Sequence, residues 1–238
     1  MIDTVVFDMD GVLVDTEPVY FERQMRIVDE AGIHPASRTL QDYIGHSADD
    51  TWSLAVPNDP DRRRVLRQHF EESAQTQPLN YREILIPGVR ELLTYLHDDG
   101  YRVALASAGN LAGIEEMLRQ NELRLFFDNV ISGETIARNK PDPQIYTRSL
   151  AALGSAPQNS LAVEDSPTGI MAAHGAGMQA WALAPTQYHL DQSSADFVAR
   201  NMDAIQERLR APHGKACGAY FGVRQNSKFM DTRTSKKA

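Results

Sequence analysis

Cysteine is almost missing from this chain of 238 residues, where Cys217 stands alone. No internal disulfide can form, and a single thiol has no partner for a zinc cluster or a cysteine-based catalytic group. Redox and thiolate chemistry are thereby excluded. Long apolar runs are missing as well: no stretch approaches the ~20 continuous apolar residues that a membrane helix needs. The first fifteen residues carry Asp3, Asp8, Asp10 and Asp15, which no secretory or mitochondrial leader tolerates. A cytoplasmic, monomeric protein without membrane attachment is expected. Lysine is scarce too, since Lys140 is the only one before residue 215.

What is present, 42% apolar and 24% charged residues, is the composition of an ordinary globular protein with one large domain or two small ones. The net charge of −8 is unevenly spread. Six basic residues against Asp231 make residues 211–238 +5 and leave −13 on residues 1–210. So acidic a body repels phosphate backbones at long range, which argues against nucleic acid as a partner. An anionic substrate must be met locally, by a cation or a few placed donors.

Short β-branched and aromatic runs at Thr4–Phe7, Arg102–Ala106, Asn129–Ile131, Ser160–Val163 and Gln179–Leu183 read as buried strands. Helical patterns at Val89–Asp98, Ala112–Gln120, Gln144–Leu153 and Thr168–His174 alternate with them. This rhythm predicts an α/β, Rossmann-like, doubly wound parallel sheet with helices on both faces and ligands at the carboxyl ends of the strands. Residues 16–86 interrupt it with helical patterns only, at Val19–Ala31, Leu40–Tyr43, Ala48–Ala55 and Asp61–Gln75. The expected organisation is a catalytic core of residues 1–15 and 87–210, an inserted all-helical unit of 16–86, and a basic tail of 211–238 with too few aliphatics to order itself.

The expected strand ends carry the chemistry. Phe7-Asp8-Met9-Asp10-Gly11 sets two carboxylates two residues apart, so that they bind a cation, share a proton or do both. A calcium loop fails, because Val12, Leu13 and Val19 stand where its pattern needs oxygen ligands and a glycine. Ser107-Ala108-Gly109-Asn110 offers a hydroxyl and N–H groups suited to phosphate oxygens. Lys140-Pro141-Asp142-Pro143 delivers an ammonium, and Glu164-Asp165-Ser166-Pro167-Thr168-Gly169 a second acidic pair. Hard oxygen ligands select magnesium, and the donors balance a phosphate.

These four segments, in this order, resemble those of haloacid dehalogenase-superfamily phosphatases, in the subfamily similar to beta-phosphoglucomutase that carries a helical cap. The resemblance spans about residues 3–200. It implies a magnesium-dependent phosphomonoester hydrolase acting on a small phosphorylated metabolite, with residues 16–86 as the cap. By the same resemblance Asp8 is the nucleophile that forms an aspartyl-phosphate, and Asp10 the general acid and then base. Ser107 and the N–H of Ala108 hold phosphate oxygens, and Lys140 neutralises the phosphate and Asp8. Asp165, with Glu164, completes a magnesium site begun by the Asp8 carboxylate and the Asp10 carbonyl. Phosphoryl transfer from a dianion to a carboxylate needs this positive charge, and an alkoxide leaving group needs a proton.

Glu17 and His46 are the candidate substrate-binding residues of the cap. An acidic helix N-terminus and a solvated loop histidine explain them equally well. Arg62, Arg63, Arg64 and Arg67 read as a solvated helix face, and Trp52 and Trp181 as packing. A Schiff-base hydrolase is excluded because residues 16–86 contain no lysine. A dehalogenase would lack Asp10, since a halide needs no proton. A beta-phosphoglucomutase-type mutase is an alternative, but Ala48 and Asp49 stand where the mutases place a cap arginine. A phosphoacceptor signalling module, from another class, would have no helical insertion after its first strand.

Overall fold

The computed structural model describes residues 1–211. The segment expected as a basic tail, 211–238, lies outside the described residues apart from Ala211. Six strands, β1 (Thr4–Phe7), β2 (Arg102–Ser107), β3 (Asn129–Ser132), β4 (Ser160–Glu164), β5 (Gln179–Leu183) and β6 (Phe197–Ala199), form one sheet in the order β3-β2-β1-β4-β5-β6. Every neighbouring pair is parallel. The chain runs outward from β1 to β3, then returns to β4 on the opposite side of β1. This reversal opens a crevice at the carboxyl ends of β1 and β4, the place where such sheets bind ligands.

Side-chain alternation explains the two layers. Val5, Phe7, Val103, Leu105, Leu161 and Val163 point to one face, where they meet the helices α4 (Val89–Asp98), α5 (Leu111–Gln120) and α8 (Met202–Arg210). The intervening positions, Val6, Ala104, Ala106, Ala162, Ala180 and Ala182, face the other side, against α6 (Gln144–Leu153) and α7 (Pro167–Gly175). The second face is built largely of alanine, so α6 and α7 approach the sheet closely. Buried on both faces, the strands read as continuous apolar runs, as parallel strands do.

The expected strands and helices are present, with ends shifted by a few residues at most. Besides three short 3₁₀ turns at Arg124–Phe126, Gly133–Thr135 and Pro157–Asn159, one strand and one α-helix were not expected, β6 and α8. The strand has three residues and lies at the sheet edge with Val198 45% exposed, so it lacks the apolar run that marks the inner strands. Helix α8 follows at once, capped by the side chain of Asn201.

Between β1 and α4 the chain forms α1 (Glu17–Glu30), a 3₁₀ turn (Leu40–Tyr43), α2 (Ala48–Ala55) and α3 (Pro60–Thr76). These helices share their own core of Met25, Val28, Tyr43, Trp52, Ala55 and Leu66. The arginines read as a solvated face bind this unit together: Arg62 donates to the carbonyl of Ala31, Arg63 to that of Val56, and Arg67 pairs with Asp49 and Glu71. The chain leaves and re-enters the sheet side by side, since Asp15 N–H donates to the carbonyl of Ile84 at 2.9 Å and Ile86 N–H to that of Leu13 at 2.9 Å. Among the described residues, no helix is long and apolar enough to cross a membrane.

The alanine face generates a stability prediction. Ala162, fully buried under α6 and α7, has no room for a larger side chain, so Ala162→Leu should cost about 1–3 kcal/mol in urea unfolding. Val198→Ala on the exposed edge should stay within about 0.5 kcal/mol of wild type.

Candidate active site

The sheet ladder itself aims the first acidic residue. Asp8 N–H donates to the carbonyl of Val163 at 2.9 Å, one position beyond β1, so the Asp8 main chain is held between β1 and β4. Immediately after it the chain turns back, with Leu13 N–H on the Met9 carbonyl and Gly11 N–H on that of Val14, both at 2.8 Å. The turn depends on Gly11. Its φ of +75° is left-handed, and a Cβ there would lie 2.2 Å from Asp165 Oδ2. Glycine at this place lets the β1 turn touch the carboxylate at the end of β4.

Lys140 reaches the same point from the loop before α6. Its Nζ donates to Asp8 Oδ1 at 2.6 Å, Glu164 Oε1 at 2.6 Å and the carbonyl of Ala106 at 3.2 Å, with only 9% of the side chain exposed. Glu164, wholly buried, also accepts from the Tyr146 hydroxyl at 2.5 Å and, through Oε2, from the Asp165 N–H at 3.1 Å and the Ser166 hydroxyl at 3.2 Å. Gly169 makes this possible, because a Cβ there would meet Glu164 Oε1 at 1.9 Å.

Asp8, Glu164 and Asp165 each offer an oxygen within 4.8 Å of the others, and all three are buried. One ammonium offsets three carboxylates, and the Asp165 carboxylate accepts no hydrogen bond among the described residues. The charge balance shows in the acidities. Burial raises Asp8 to about 7, with Lys140 opposing and Glu164 and Asp10 adding to the rise. Burial, then Glu164 and Asp8, hold Asp165 well above the ordinary carboxylate range. Burial alone would push the Lys140 ammonium toward neutrality, but Asp8 and Glu164 outweigh it and its pKa ends well above the usual lysine value. Excess buried negative charge among hard oxygens is what a divalent cation neutralises, so the residues present fit one.

Asp10 sits on the turn, and its Oδ1 accepts from the Thr16 hydroxyl at 2.8 Å. Burial raises its pKa, while the Thr16 hydrogen bond opposes the rise. Across the crevice, Ser107 ends β2 fully buried and accepts from Gly109 N–H at 3.0 Å. Ala108 beside it is exposed. The Ala108 carbonyl passes so close to Gly133 that a Cβ there would stand 2.4 Å away.

Of the residues singled out from sequence, Asp8, Lys140, Glu164 and Asp165 converge, and Asp10 and Ser107 flank them. Glu17 opens α1, its pKa raised by burial and then by Asp10 and Asp15. It lines a cavity of about 220 Å³ between the helices of the inserted unit, with Tyr20, Gln24, Thr51, Trp52 and Phe70 among its walls. Trp52 therefore both packs and faces this cavity. His46 stands exposed on the loop before α2 and does not line it.

Three contributors escaped the sequence reading. Thr16 occupies a helix N-cap but makes no capping bond, spending its hydroxyl on Asp10 instead. Tyr146 lies among apolar residues on the buried face of α6, where its role depends on Glu164 coming near. Gln192 donates to the carbonyl of Asp165 at 2.6 Å from a segment with no regular pattern. The Thr16 signal was present, as a hydroxyl directly after the acidic turn; the other two exist only in three dimensions.

Fold and site together define an α/β protein with buried carboxylates and one ammonium gathered at the switch point of a parallel sheet. The profile of the haloacid dehalogenase-like hydrolase family matches residues 5–183, and the chain belongs to that family. It is 34% identical over 183 residues to hexitol phosphatase B of Escherichia coli strain K12, covering 73% of this chain and 80% of that protein. It is 32% identical over 180 residues to a phosphorylated carbohydrates phosphatase of Thermotoga maritima, covering 74% and 82%. Among solved structures, a HAD family hydrolase from Deinococcus radiodurans with bound phosphate and sodium superposes with a TM-score of 0.71, at 26% identity over 87% of this chain and 95% of that one.

The raised acidities predict a pH dependence. A buried carboxyl that titrates near 7 when folded, against 3.8 ordinarily, binds more protons folded than unfolded between these values. Its contribution to metal-free stability is present below pH 3.8 and is lost as pH rises to about 7. A divalent cation must displace those protons. Thermal unfolding should therefore show magnesium raising Tm clearly at pH 8 and little at pH 5, with Asp165→Asn abolishing the pH 8 increment.

Proposed function

We propose that this protein is a magnesium-dependent phosphomonoester hydrolase that acts on a small sugar or polyol monophosphate through an aspartyl-phosphate. The observation that carries the reading is Asp8: one of its oxygens is paired with the buried Lys140 ammonium, and Asp10 stands two residues away on a turn closed by Thr16.

Asp8 attacks phosphorus, and the bond from phosphorus to the leaving oxygen breaks. Asp10, whose burial shifts its carboxyl toward the protonated form, gives a proton to the departing alkoxide, a step worth roughly 10²- to 10⁴-fold. Asp10 then takes a proton from water as the water attacks the aspartyl-phosphate, which releases inorganic phosphate and frees Asp8. Ser107 and the amide of Ala108 hold the phosphoryl oxygens, and Lys140 offsets their charge against Asp8. Asp8 and Asp165, with Glu164 beside them and the Asp10 carbonyl, would hold magnesium, whose charge lowers the repulsion between nucleophile and phosphate dianion.

The helices of residues 16–86 serve as the cap, hinged where the two linkers pair at Leu13–Asp15 and Ile84–Ile86. Two facts support a neutral, hydroxyl-rich leaving group. The cavity that Glu17 lines has aromatic rings, Gln24 and Thr51 in its walls and no cationic side chain among the described residues, while Arg63, Arg64 and Arg67 line a separate one between α2 and α3, and the two relatives are named for hexitol and carbohydrate phosphates. The mutase alternative requires a partner for a second phosphate, and among the described residues the cavity that Glu17 lines provides none.

Asp8→Asn and Asp10→Asn are each expected to lower turnover of a hexitol monophosphate by at least about 10³-fold, and chelation to abolish it until magnesium is restored. Acid quenching followed by mass spectrometry should find phosphate on Asp8 alone. Covalent phosphate elsewhere, metal-independent turnover, or a bisphosphate as the best substrate would overturn the reading.

A further inference from the structure

Gln41 and His189 are 148 positions apart, yet they form a reciprocal pair across the boundary between the inserted helices and the sheet. His189 N–H donates to Gln41 Oε1 at 2.7 Å, and Gln41 Nε2 donates to the His189 carbonyl at 3.1 Å. Both residues are exposed, so the pair is not a by-product of core packing. Its two ends matter. Gln41 lies on the 3₁₀ turn Leu40–Tyr43, and Leu40 and Tyr43 line the cap cavity. His189 lies on the strap between β5 and β6, whose other contacts lead to the catalytic groups. There, Gln192 holds the Asp165 and Leu183 carbonyls at 2.6 and 2.8 Å, and Gln187 reaches Asp15 Oδ2 at 3.3 Å.

Between these anchors stands Tyr188, 9% exposed, with a hydroxyl that is buried and without a hydrogen-bond partner among the described residues. The charged groups acting on it are Asp165, Asp15, Glu17 and Asp10, from the sheet, the linker and the first cap helix. Burial first and these carboxylates second raise its pKa, so it stays a donor throughout the working pH range. Tyr188 lines a cavity of about 510 Å³ together with Gly11, Asp15 and Gln187, at the acidic turn, and Asp15 Oδ1 is likewise buried without a partner among the described residues; unpaired buried groups of this kind await a polar partner.

We propose that Gln41 is a latch by which the cap grips the strap when closed, and that the latch holds Tyr188 at the acidic turn as a positioning residue of the closed state. The proposal rests on the phosphatase reading for its substrate, but the latch itself does not. A turn that carries both a wall of the leaving-group cavity and the latch couples occupancy of that cavity to closure. The two amide bonds face water, so the latch is weak enough to release at each turnover.

The test uses the full chain with magnesium and compares wild type with Gln41→Ala, Gln41→Glu, Tyr188→Phe and the double variant Gln41→Ala/Tyr188→Phe. Hydrogen exchange at the His189 amide should accelerate in Gln41→Ala, whereas Gln41→Glu, which keeps the acceptor, should restore protection. Gln41→Ala and Tyr188→Phe should each lower kcat/KM for a hexitol monophosphate by about tenfold, and the double variant should lose no more than the worse single one, because both act through one closed state. The losses on p-nitrophenyl phosphate, whose leaving group needs little positioning, should be smaller. Unchanged exchange at His189 would refute the latch, and independent, multiplicative losses or equal losses on both substrates would refute the coupling to Tyr188. If wild type turned over no phosphomonoester, the functional reading would fall while the exchange measurement still judged the latch.

Discussion

The buried ammonium of Lys140, held at 2.6 Å from both Asp8 and Glu164, is the interaction on which the rest of the site depends. Burying a charge is costly unless it is paired and hydrogen-bonded, and each partner here is itself fixed by backbone. Asp8 extends the β1–β4 ladder, and Glu164 ends β4. Tyr146, Ser166 and the Asp165 N–H saturate Glu164. The ammonium is therefore locked at one place in the sheet crevice, and one Asp8 oxygen is committed to it. Removing Lys140 would leave the buried carboxylates of Asp8 and Glu164 without their ion pair, a loss of about 3–5 kcal/mol in comparable cases.

The fold supplies this arrangement through its two faces. Large aliphatic and aromatic side chains fill the layer under α4, α5 and α8, while alanines let α6 and α7 come close on the opposite side. That close approach brings Tyr146 of α6 to Glu164, and Gly169 at the start of α7 makes room for the same carboxylate. Small residues thus serve chemistry as well as packing: Gly11, Gly133 and Gly169 each occupy a place where a Cβ would collide with Asp165, the Ala108 carbonyl or Glu164. The net result is a crevice floor in which Asp8, Lys140, Glu164 and Asp165 are held together.

The helical insertion has its own core and joins the sheet through two paired linkers. The cavity that Glu17 lines is aromatic and has no cationic side chain among the described residues. Cations lie elsewhere in the same unit: Arg63, Arg64 and Arg67 line a second cavity, and Arg23 is buried.

Much of this was legible in the chain itself. Alternating apolar runs and capped helices announced the parallel sheet, and the acidic pair after β1, the hydroxyl after β2, the lone early lysine and the second acidic pair after β4 announced the chemistry. Local signals suffice there because strand ends are where a parallel sheet gathers its ligands. The edge strand β6 and helix α8 were not legible, since an exposed three-residue strand has no periodicity to read. Nor were Tyr146, Gln192 and the Gln41–His189 pair, whose partners lie 18, 27 and 148 positions away. The amino-acid sequence by itself determined the fold class, the carboxylates and lysine at the strand ends and the helical insertion, because each is written in neighbouring residues. Only the tertiary structure decided which oxygen the lysine takes, how Glu164 is saturated and where the insertion touches the sheet, because hydrogen bonds between distant segments exist only once packing has brought their donors and acceptors within 3 Å or so of each other.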